Sequence, residues 1–430
     1  MNICVIGTGY VGLVTGTCLA DLGNQVICVD NNQDKIKMLK KGKMPIYEPG
    51  LAELVAKNTK EKRLEFTTKI KEGVGQSQII FISVNTPRKE DGEPDLSYVE
   101  KVTAEIAAHM KDYKIIVEKS TVPVETGEKI IQTIKLHNPH KTDFDVVSNP
   151  EFLREGSAIE DTMHPDRIVL GVSSKRAEKI MRDLYRPLKA PIIVTDIKSA
   201  EIIKHASNSF LAMKISFANA VANICDRVGA DVEKVAEGMG YDKRIGRAFL
   251  NAGVGFGGSC FPKDLAAFIY IAKKSGYDFE LLKAVQKINE QQKKILLQKI
   301  EESLWVLKNK TIGILGLAFK PETDDLRSAP AIDIIRSLQA AGAKIKAYDP
   351  IAMGKARKVL SGVKYGHNAY EVARGSDMLV IITEWNEFKQ LDLERVKKLL
   401  RTPIIVDGRN IYDPVKMKEL GYTYKCIGRK

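Results

Sequence analysis

No stretch of this chain is apolar over the roughly twenty residues that a membrane-spanning helix requires. The first residues also lack the basic segment and apolar core of a secretory signal peptide. A strand-like pattern begins almost at Met1 instead. The six cysteines never form a Cys-x-x-Cys pair, and the six histidines do not group with them. We therefore expect no membrane partner and no metal site, and the unpaired cysteines favour a reducing, cytoplasmic location.

Acidic residues are in the minority, which leaves a formal net charge of +13. The lysines are spread over many predicted helix surfaces and are not interleaved with stacking aromatic residues, as they are in nucleic-acid-binding segments. Steeply salt-dependent polynucleotide binding would favour a nucleic-acid partner, but we expect none. A basic balance equally suits a small anionic substrate, whose local concentration it raises.

The first glycine-rich segment has the order of a dinucleotide-binding turn. A buried-strand pattern leads into GTGYVG at residues 7–12, and a helical pattern follows. The first glycine makes the turn, the second admits a pyrophosphate, and the third lets the helix pack on the strand. A second apolar strand ends in Asp30, whose carboxylate would bind a ribose and repel a 2′-phosphate, so the pattern predicts NAD and not NADP. The alternative is that Asp30 only caps the next turn.

Strand-like and helix-like runs alternate along the rest of the first 200 residues. Apolar runs at 79–84, 114–117 and 144–147 predict a doubly wound parallel sheet. Polar loops follow these runs, and because ligands bind at the carboxyl ends of parallel strands, the loops should ring one crevice. If Pro150 begins a helix, Glu151 and Glu155 lie one turn apart.

A long helix and a second nucleotide-type unit follow. Neither glycine nor proline interrupts the helical pattern between Asp196 and Gly229, where Lys204 and Asn208 lie one turn apart. Lys204 therefore either borders the crevice or belongs to a solvated face. The predicted fold is α/β, with two Rossmann-like, doubly wound lobes joined by a long central helix. The expected domains are residues 1–196, 197–305 and 306–430.

The second unit is a modified copy of the first. Its strand–turn pattern runs from about residue 310 through Gly316 to Asp349, with an inserted loop around residues 321–330. It lacks the three-glycine turn, and Lys320 follows the first strand instead. A lysine there suits an anionic nucleotide held by a point charge.

The segment GFGGSCFPKD at residues 255–264 brings a thiol, an ammonium and a carboxylate into one glycine-rich turn. Pro262 is favoured at the start of a helix, so Cys260 is predicted at a helix N-terminus, where the dipole favours thiolate. Lys263 and Asp264 fall on its side of the first turn. A buried cysteine beside a flexible loop is the alternative, but the surrounding residue types favour covalent chemistry.

Seven segments resemble those of the UDP-glucose/GDP-mannose dehydrogenase family of nucleotide-sugar 6-dehydrogenases, and together they span nearly the whole chain. The resemblance implies twofold oxidation of UDP-glucose to UDP-glucuronate by NAD, through a cysteine thiohemiacetal and thioester. The segments are GTGYVG from residue 7, STVPV from 120, NPEFLREG from 149, EIIKHASNSFLAMKISFANA from 201, RIGRAFLNAGVGFGGSCFPKD from 244, GLAFKPETDDLRSAP from 316 and DGRN from 407.

Substrate alternatives inside and outside this family remain open. Family members that act on GDP-mannose or UDP-N-acetylhexosamines share the fold and the cysteine. The hexosamine branch usually places histidine before its cysteine, whereas this chain has Ser259 and resembles the UDP-glucose branch. A hydroxyacid dehydrogenase with a single oxidation also joins a dinucleotide fold to a long helix, but it would have no use for Cys260.

The resemblance also implies roles for single residues. Cys260 is the nucleophile, Lys204 with Asn208 stabilises the oxyanion, Asp264 and Thr121 position a water, and Glu151 acts as acid or base. The implied cofactor-binding residues are Gly7, Gly9, Tyr10, Val11, Gly12, Asp30, Lys35, Thr86, Thr121, Glu155, Lys263 and Arg327. The implied substrate-binding residues are Glu151, Phe152, Leu153, Arg154, Glu155, Lys204, Asn208, Arg244, Phe249, Leu250, Asn251, Gly253, Gly257, Phe261, Phe319, Lys320 and Arg409.

Two further expectations follow from the resemblance. Arg244 resembles a residue that family members insert from a neighbouring subunit, which implies a homodimer or a higher homo-oligomer. Ser328 follows Arg327 where the family pattern has an acidic residue, so the surroundings of Arg327 depart from the pattern.

Overall fold

Two largely parallel β-sheets organise the residues that the computed structural model describes, which are 1–87, 89 and 93–430. The chain divides into two compact units, each with one sheet. The first unit comprises Met1–Ser207 and Ala266–Gly276, and the second comprises Asn208–Leu265 and Tyr277–Lys430. Over the described ranges, no helix combines the length and apolarity needed to cross a bilayer.

The sheet of the first unit has eight strands in the order β3-β2-β1-β4-β5-β6-β7-β8. All neighbouring strands are parallel except β6 and β7, which are antiparallel. The strands are β1 (Asn2–Ile6), β2 (Gln25–Val29), β3 (Leu64–Thr67), β4 (Ile79–Ile82), β5 (Lys114–Glu118), β6 (Phe144–Ser148), β7 (Ile168–Gly171) and β8 (Ile192–Thr195).

Helices cover both faces of this sheet, which explains why its central strands are continuous apolar runs. Along β1, Ile3 and Val5 join one buried cluster while Cys4 and Ile6 join the opposite one. The helices are α1 (Tyr10–Asp21), α2 (Gln33–Lys40), α3 (Leu51–Lys60), α4 (Ile70–Gln76), α5 (Ser97–His109), α6 (Thr126–His137), α7 (Ala158–Met163) and α8 (Lys175–Tyr185), and a 3₁₀ turn follows at Arg186–Leu188.

Four helices lie between the two sheets in the chain. The longest, α9, confirms the predicted uninterrupted helix, and it ends before Gly229, whose φ is +81°. They are α9 (Ile197–Val228), α10 (Val232–Gly240), α11 (Phe261–Lys274) and α12 (Glu280–Leu304).

The second sheet has six strands, all parallel, in the order β11-β10-β9-β12-β13-β14. Its strands are β9 (Thr311–Leu315), β10 (Lys344–Tyr348), β11 (Val363–Tyr365), β12 (Met378–Ile381), β13 (Ile404–Asp407) and β14 (Thr423–Lys425). Its helices are α13 (Pro330–Ala340), α14 (Met353–Val359), α15 (Ala369–Ala373), α16 (Asn386–Lys389), α17 (Leu393–Leu399) and α18 (Pro414–Glu419). Both sheets contain the doubly wound order 3-2-1-4-5-6, so the predicted pair of Rossmann-like lobes is confirmed.

The condition stated for Glu151 and Glu155 is not met, because Pro150 does not begin a helix. The Glu151 carboxylate accepts the Leu153 N–H at 2.9 Å, and Gly156 has a φ of +83°. This loop conformation is incompatible with a continuous helix, and the next helix, α7, begins only at Ala158. Glu151 and Glu155 are therefore loop residues and do not share a helical turn.

Candidate active site

The turn after β1 has the geometry that close approach of a diphosphate requires. Gly7 has a φ of +100°, and a Cβ on Gly12 would lie 1.9 Å from the Gly7 carbonyl oxygen. Among described atoms, none lies within 4 Å of a Cβ built on Gly9, so a ligand can reach this backbone. Tyr10 and Val11 open helix α1, whose fully described first turn holds no acidic residue. The turn therefore presents helix amides to an anion.

Asp30 lies directly after β2, where four donors converge on its buried carboxylate. Thr8 donates from its N–H at 2.9 Å and its hydroxyl at 2.7 Å, Lys35 from Nζ at 2.9 Å, and Asn32 from its N–H at 3.0 Å. Burial alone would raise the pKa of Asp30, but hydrogen bonds from Asn32, Lys35 and Thr8 hold it below its ordinary value. The carboxylate is thus ionised and fixed beside the turn, an arrangement that fits NAD.

Glu151 and Lys204 form a buried ion pair in the first unit. Lys204 Nζ lies 3.1 Å from Glu151 Oε1, and both side chains are almost inaccessible to solvent. The Phe152 ring lies beside this pair, with Lys204 Nζ 5.4 Å from its centroid and the Arg167 guanidinium 3.6 Å from it. A fixed cation and a carboxylate in a poorly hydrated place can stabilise a developing oxyanion and exchange a proton.

Lys119 lies in the same neighbourhood, and sequence reasoning assigned it no role. Its Nζ donates to Asn149 Oδ1 at 3.0 Å, just before Glu151 in the chain. Burial lowers the pKa of Lys119 to about 8, with the Glu151 carboxylate opposing the shift and the Lys204 ammonium adding to it. Lys119, Asn149, Glu151 and Phe152 also line one small cavity. Glu151 is therefore near a second cation besides Lys204.

The loop that carries Thr121 is pinned from two sides. Thr86 donates its hydroxyl to the Thr121 carbonyl at 2.9 Å, which places two predicted cofactor residues in direct contact. The His205 Nε2 lies 2.7 Å from the Val122 carbonyl, and the Glu201 carboxylate accepts the Glu125 N–H at 2.8 Å. Helix α9, which also carries Lys204, thus fixes the backbone around Thr121.

Glu48 holds the loop around Glu155, although no sequence pattern indicates this role. Its carboxylate accepts the Gly156 N–H at 2.6 Å, the Ala158 N–H at 2.6 Å and the Tyr10 hydroxyl. Glu48 is buried in a loop without periodicity, so no pattern distinguishes it from a surface acid. Next to Glu155, Leu153 is partly exposed and the Arg154 guanidinium pairs with Asp161 at 2.6 Å.

In the second unit, Cys260 immediately precedes α11, as predicted. All six cysteines lie within the described residues, and Cys260 is the one that is partly exposed while the other five are buried. Its carbonyl accepts the Asp264 N–H at 2.8 Å, which closes the first turn of the helix. The Ser259 hydroxyl lies 3.6 Å from Cys260 Sγ. The thiol therefore occupies a helix N-terminus that solvent can reach, which favours the thiolate form.

Asp264 is fully buried within this unit and receives two side-chain donors. Asn208 Nδ2 donates at 2.6 Å, and Lys263 Nζ lies 2.9 Å from the other carboxylate oxygen. Three predicted residues, Asn208, Lys263 and Asp264, are thereby brought together next to Cys260 in the chain. The other predicted catalytic residues, Thr121, Glu151 and Lys204, belong to the first unit.

Loop 249–258, which precedes Cys260, carries several of the predicted substrate residues. An aromatic cluster lies at its two ends, with the Phe261 ring centroid 6.2 Å from Phe249 and 5.8 Å from Phe256. Leu250 and Gly253 are buried, whereas Asn251 is exposed and bonds to Arg247. Arg244 pairs with Asp242 and stays largely exposed.

The turn after β9 is packed and hydrogen-bonded within the second unit. Leu317 and Ala318 are buried, and a Cβ on Gly316 would lie 2.4 Å from the Thr383 side chain. The Asp349 carboxylate, which corresponds to Asp30, accepts N–H groups from the turn and beyond, namely those of Leu317, Ala318, Ile351, Ala352 and the Trp385 ring. The N–H groups of Leu317 and Ala318 are therefore bonded within the protein, as suits a modified copy of the first turn.

Arg409 connects the segments around this turn. Its Nη1 and Nη2 each lie 3.1 Å from a carbonyl oxygen, those of Gly255 and Phe319, and Nε lies 2.7 Å from the Ile382 carbonyl. Lys320 Nζ lies 5.7 Å from the Phe319 ring centroid. Arg409 thus holds the loop before Cys260 against the Phe319 segment.

Arg327 belongs to a loop that packs on the glycines before Cys260. Its guanidinium pairs with Asp325 at 2.8 Å, and its carbonyl accepts the Gly258 N–H at 2.9 Å. A Cβ on Gly257 would lie 2.3 Å from the Ser328 carbonyl oxygen, so this glycine is required by close packing. Ser328, which departs from the family pattern, has a φ of +48° and sits in this contact.

Comparison with family models covers three successive parts of the chain. Residues 1–189 match the NAD binding domain of the UDP-glucose/GDP-mannose dehydrogenase family, residues 198–291 match its central domain, and residues 313–414 match its UDP binding domain. The first match and the geometry of the Gly7–Gly12 turn confirm NAD as the cofactor.

Individual proteins agree with this result over the full length. The chain is 52% identical to UDP-glucose 6-dehydrogenase TuaD of Bacillus subtilis, covering 100% of this chain and 93% of the relative. It is 48% identical to UDP-glucose 6-dehydrogenase of Rhizobium meliloti, covering 100% of both. A solved UDP-glucose dehydrogenase from Pyrobaculum islandicum superposes with a TM-score of 0.94 at 39% identity, covering 100% of this chain and 98% of that one. The chain therefore belongs to the UDP-glucose/GDP-mannose dehydrogenase family.

Proposed function

We propose that this protein oxidises UDP-glucose twice to UDP-glucuronate, with NAD as the hydride acceptor and Cys260 as the covalent nucleophile. The observation that carries this proposal is the position of Cys260, a partly exposed thiol at the N-terminus of α11, beside the buried Asp264 carboxylate in the chain. The relatives that are 48–52% identical are named as UDP-glucose 6-dehydrogenases, which supports the substrate.

The chemistry requires a nucleophile because an aldehyde has no carbinol to oxidise. The C6 alcohol loses a proton and a hydride to give the aldehyde. The Cys260 thiolate then forms a C–S bond to C6 and gives a thiohemiacetal, which loses a second hydride to become a thioester. Water breaks the C–S bond, which releases the carboxylate and returns the thiol.

The other site residues have proposed roles around C6. The ammonium of Lys204 stabilises negative charge on the C6 oxygen in both oxidations, with Asn208 assisting as a donor, a contribution of several kcal/mol in comparable sites. The Asp264 carboxylate, oriented by its hydrogen bond from Asn208, accepts a proton through a water that Thr121 also holds. Glu151, paired with Lys204, exchanges the proton during thioester formation and hydrolysis.

NAD, when bound, supplies a nicotinamide ring that accepts a hydride in each oxidation. The amides of the Gly7–Gly12 turn hold its pyrophosphate, and Asp30 with Lys35 holds the adenosine ribose. Thr86 and Thr121 place their backbone and hydroxyl groups at the carboxyl ends of β4 and β5, which are neighbours in the sheet. Glu155, Lys263 and Arg327 complete the proposed cofactor residues.

The UDP-sugar is assigned to two sets of residues. Residues 151–155, together with Lys204 and Asn208, contact the sugar. Loop 249–258 presents amides to the diphosphate, and Phe261, Phe319, Lys320 and Arg409 complete the set. Arg409 acts at least partly by holding the Gly255 and Phe319 carbonyls.

We assign residues 1–196 to NAD binding, 197–305 to a central helical dimerisation domain with the cysteine loop, and 306–430 to UDP-sugar binding. The family matches support three parts in this order. The protein is proposed to be a cytoplasmic homodimer or larger homo-oligomer, with Arg244 reaching a neighbouring subunit. Its product is an activated uronate of the kind used in polysaccharide biosynthesis.

The deciding experiment counts reduced cofactor per sugar. With limiting UDP-glucose and excess NAD, we expect two equivalents of reduced cofactor per sugar, followed by its absorbance, because each oxidation transfers one hydride. GDP-mannose and UDP-N-acetylhexosamines should react far more weakly. Cys260→Ser should slow complete turnover by orders of magnitude while folding and NAD binding persist. One equivalent with release of aldehyde, or near-normal turnover of the serine variant, would refute the thioester scheme.

A further inference from the structure

Loop 249–258 leads into the cysteine turn, yet it contains neither helix nor strand. Its buried backbone groups need hydrogen-bond partners from elsewhere. Those partners are amide side chains on two helices. Asn219 of α9 accepts the Gly253 N–H at 2.8 Å, and Gln292 of α12 donates to the Gly253 carbonyl at 3.0 Å.

Asn289, one turn before Gln292 on α12, binds both backbone groups of Phe256. Its Oδ1 accepts the Phe256 N–H at 2.8 Å, and its Nδ2 donates to the Phe256 carbonyl at 3.0 Å. The side chain is 7% exposed and occupies the buried side of α12 in line with Val285 and Leu296. A buried amide on the packed side of a helix costs stability unless both its groups are bonded, and here both are.

Gly255, next to Phe256, leaves no room for a side chain at this contact. Gly255 has a φ of +101°, and a Cβ there would lie 2.6 Å from Asn289 Oδ1. A larger residue at 255 would therefore displace the amide from Phe256. Gly255 and Asn289 therefore form one close-packed unit.

Phe256 transmits this restraint toward Cys260. Its ring packs edge-on against Phe261, with centroids 5.8 Å apart and an interplanar angle of 89°. Phe261 is the first residue of α11 and directly follows Cys260. Asn289 thus restrains the loop before the thiol by bonding the Phe256 backbone. The contact between the Phe256 and Phe261 rings extends this restraint to the helix start after the thiol.

We propose that Asn289 is a positioning residue for the Cys260 thiol, acting through the backbone and ring of Phe256. This inference rests on the proposed nucleophilic role of Cys260. Asn289 is bonded to the loop through Phe256. Its loss should misplace the thiol relative to the C6 carbon and to the amides of α11, and a displacement near 1 Å is enough to slow an oriented reaction by about 100-fold.

The test compares Asn289→Ala and Asn289→Asp with Gln286→Ala, an exposed position on the same helix. Asn289→Asp keeps the size and the acceptor oxygen but loses the donor to the Phe256 carbonyl. We expect both Asn289 variants to lower kcat about 10- to 100-fold with a smaller change in KM. The rate of Cys260 alkylation by iodoacetamide, followed across pH by peptide mass spectrometry, should shift its midpoint upward because the thiolate loses its alignment with the helix. Gln286→Ala should match the parent protein.

Unchanged kcat and an unchanged alkylation profile in Asn289→Asp would overturn the proposal. Failure of both Asn289 variants to fold would also count against it, because the residue would then serve overall stability. The alkylation measurement needs no substrate and therefore separates this inference from the proposed function. If Cys260→Ser kept normal turnover, the proposed function would fail while a shifted alkylation profile would still support the positioning contact.

Discussion

Asp30 combines a structural contact with a proposed recognition role. Its carboxylate binds the Thr8 N–H and hydroxyl, which fixes the turn, and the Lys35 ammonium, which follows it in α2. The hydrogen bonds that lower its pKa keep it negative at neutral pH. A fixed negative charge at the ribose position would repel a 2′-phosphate.

Asp30→Ala should therefore narrow the preference for NAD over NADP by about tenfold or more, a change of roughly 1.4 kcal/mol in relative binding. NAD affinity should fall at the same time because Thr8 and Lys35 lose their partner. The measurement is kcat/KM for each cofactor at saturating UDP-glucose. Asp34→Ala removes an exposed carboxylate nearby and should leave the ratio unchanged. Equal use of both cofactors by the parent protein would show that Asp30 does not face the ribose.

The positions of single residues were predictable where their surroundings are set by residues close to them in the sequence. The positions of Asp30 and Cys260 were predictable because a strand end and a helix start fix their surroundings within a few residues. Glu48 and Asn289 were not found, because their partners lie far away in the sequence, at Gly156 and Phe256. Only the buried side of α12, where polar Asn289 and Gln292 interrupt an apolar row, offered a signal for such residues.

Among the helices and strands, the start of α6 meets α9 at two buried carboxyl groups, those of Glu118 and Glu201. Glu201 of α9 accepts the Glu125 and Gly127 N–H groups, both at 2.8 Å, at the start of α6. Glu118, at the end of β5, is buried beside it. Burial raises the pKa of Glu118 well above its ordinary value, and the nearby Glu201 carboxylate adds to the shift. Burial likewise raises the pKa of Glu201 to about 7, although the Gly127 and Glu125 N–H groups oppose this.

These shifts predict a pH-dependent loss of stability. A carboxyl whose pKa is higher in the folded than in the unfolded state binds more protons when folded, so the free energy of unfolding falls as pH rises from about 4.5 upward. Glu118→Gln removes the contribution of Glu118 to this dependence while keeping the size of the side chain. Its stability relative to the parent protein should rise by about 1 kcal/mol per pH unit between about pH 5 and pH 7. Thermal unfolding at a series of pH values measures this difference, with Glu100→Gln, at an exposed position on α5, as the control. A constant difference would mean that Glu118 ionises normally.

Helices and strands were predicted best where they are long or are buried on both faces of the sheet. The central strands and the 32-residue α9 follow from uninterrupted apolar or helical patterns. Strands such as β3, β11 and β14 were not predicted, because they have three or four residues and pair at the sheet edges. Pro150 begins no helix, because the loop after β6 is held by side chains instead of by helical hydrogen bonds.

For the whole molecule, the repeated lobe was visible in the sequence and is repeated in the sheet order. The same strand sequence 3-2-1-4-5-6 occurs in both sheets. What the sequence could not specify is that Asp349 fills the second turn with five internal donors, which requires the three-dimensional position of Trp385. The same strand order thus carries a glycine-rich turn in one lobe and an internally bonded turn in the other.

Helix α9 presents an exposed apolar stripe, formed by Phe210, Phe217, Ile224 and Val228, with exposures of 50–71%. The first three repeat every seven residues, and Ile224 also borders a groove with Ile288 and Ile295 of α12. Such a surface is costly in water, and covering it by the same stripe of a second copy would bury it symmetrically. It supports the proposed dimer.

Phe217→Glu should weaken this dimer, because a carboxylate would have to be buried at the centre of the stripe. Sedimentation velocity at micromolar concentration should show a dimer or larger species for the parent protein and a shift toward monomer for the variant. Leu136→Glu, which changes an exposed leucine on α6, should leave the mass of the sedimenting species unchanged.

Because Arg244 is proposed to complete a neighbouring site, turnover of Phe217→Glu should fall together with its dimer fraction and recover at higher protein concentration. An unchanged sedimentation coefficient would exclude the α9 stripe as the interface, and a fully active monomer would remove the role of Arg244 in a partner site.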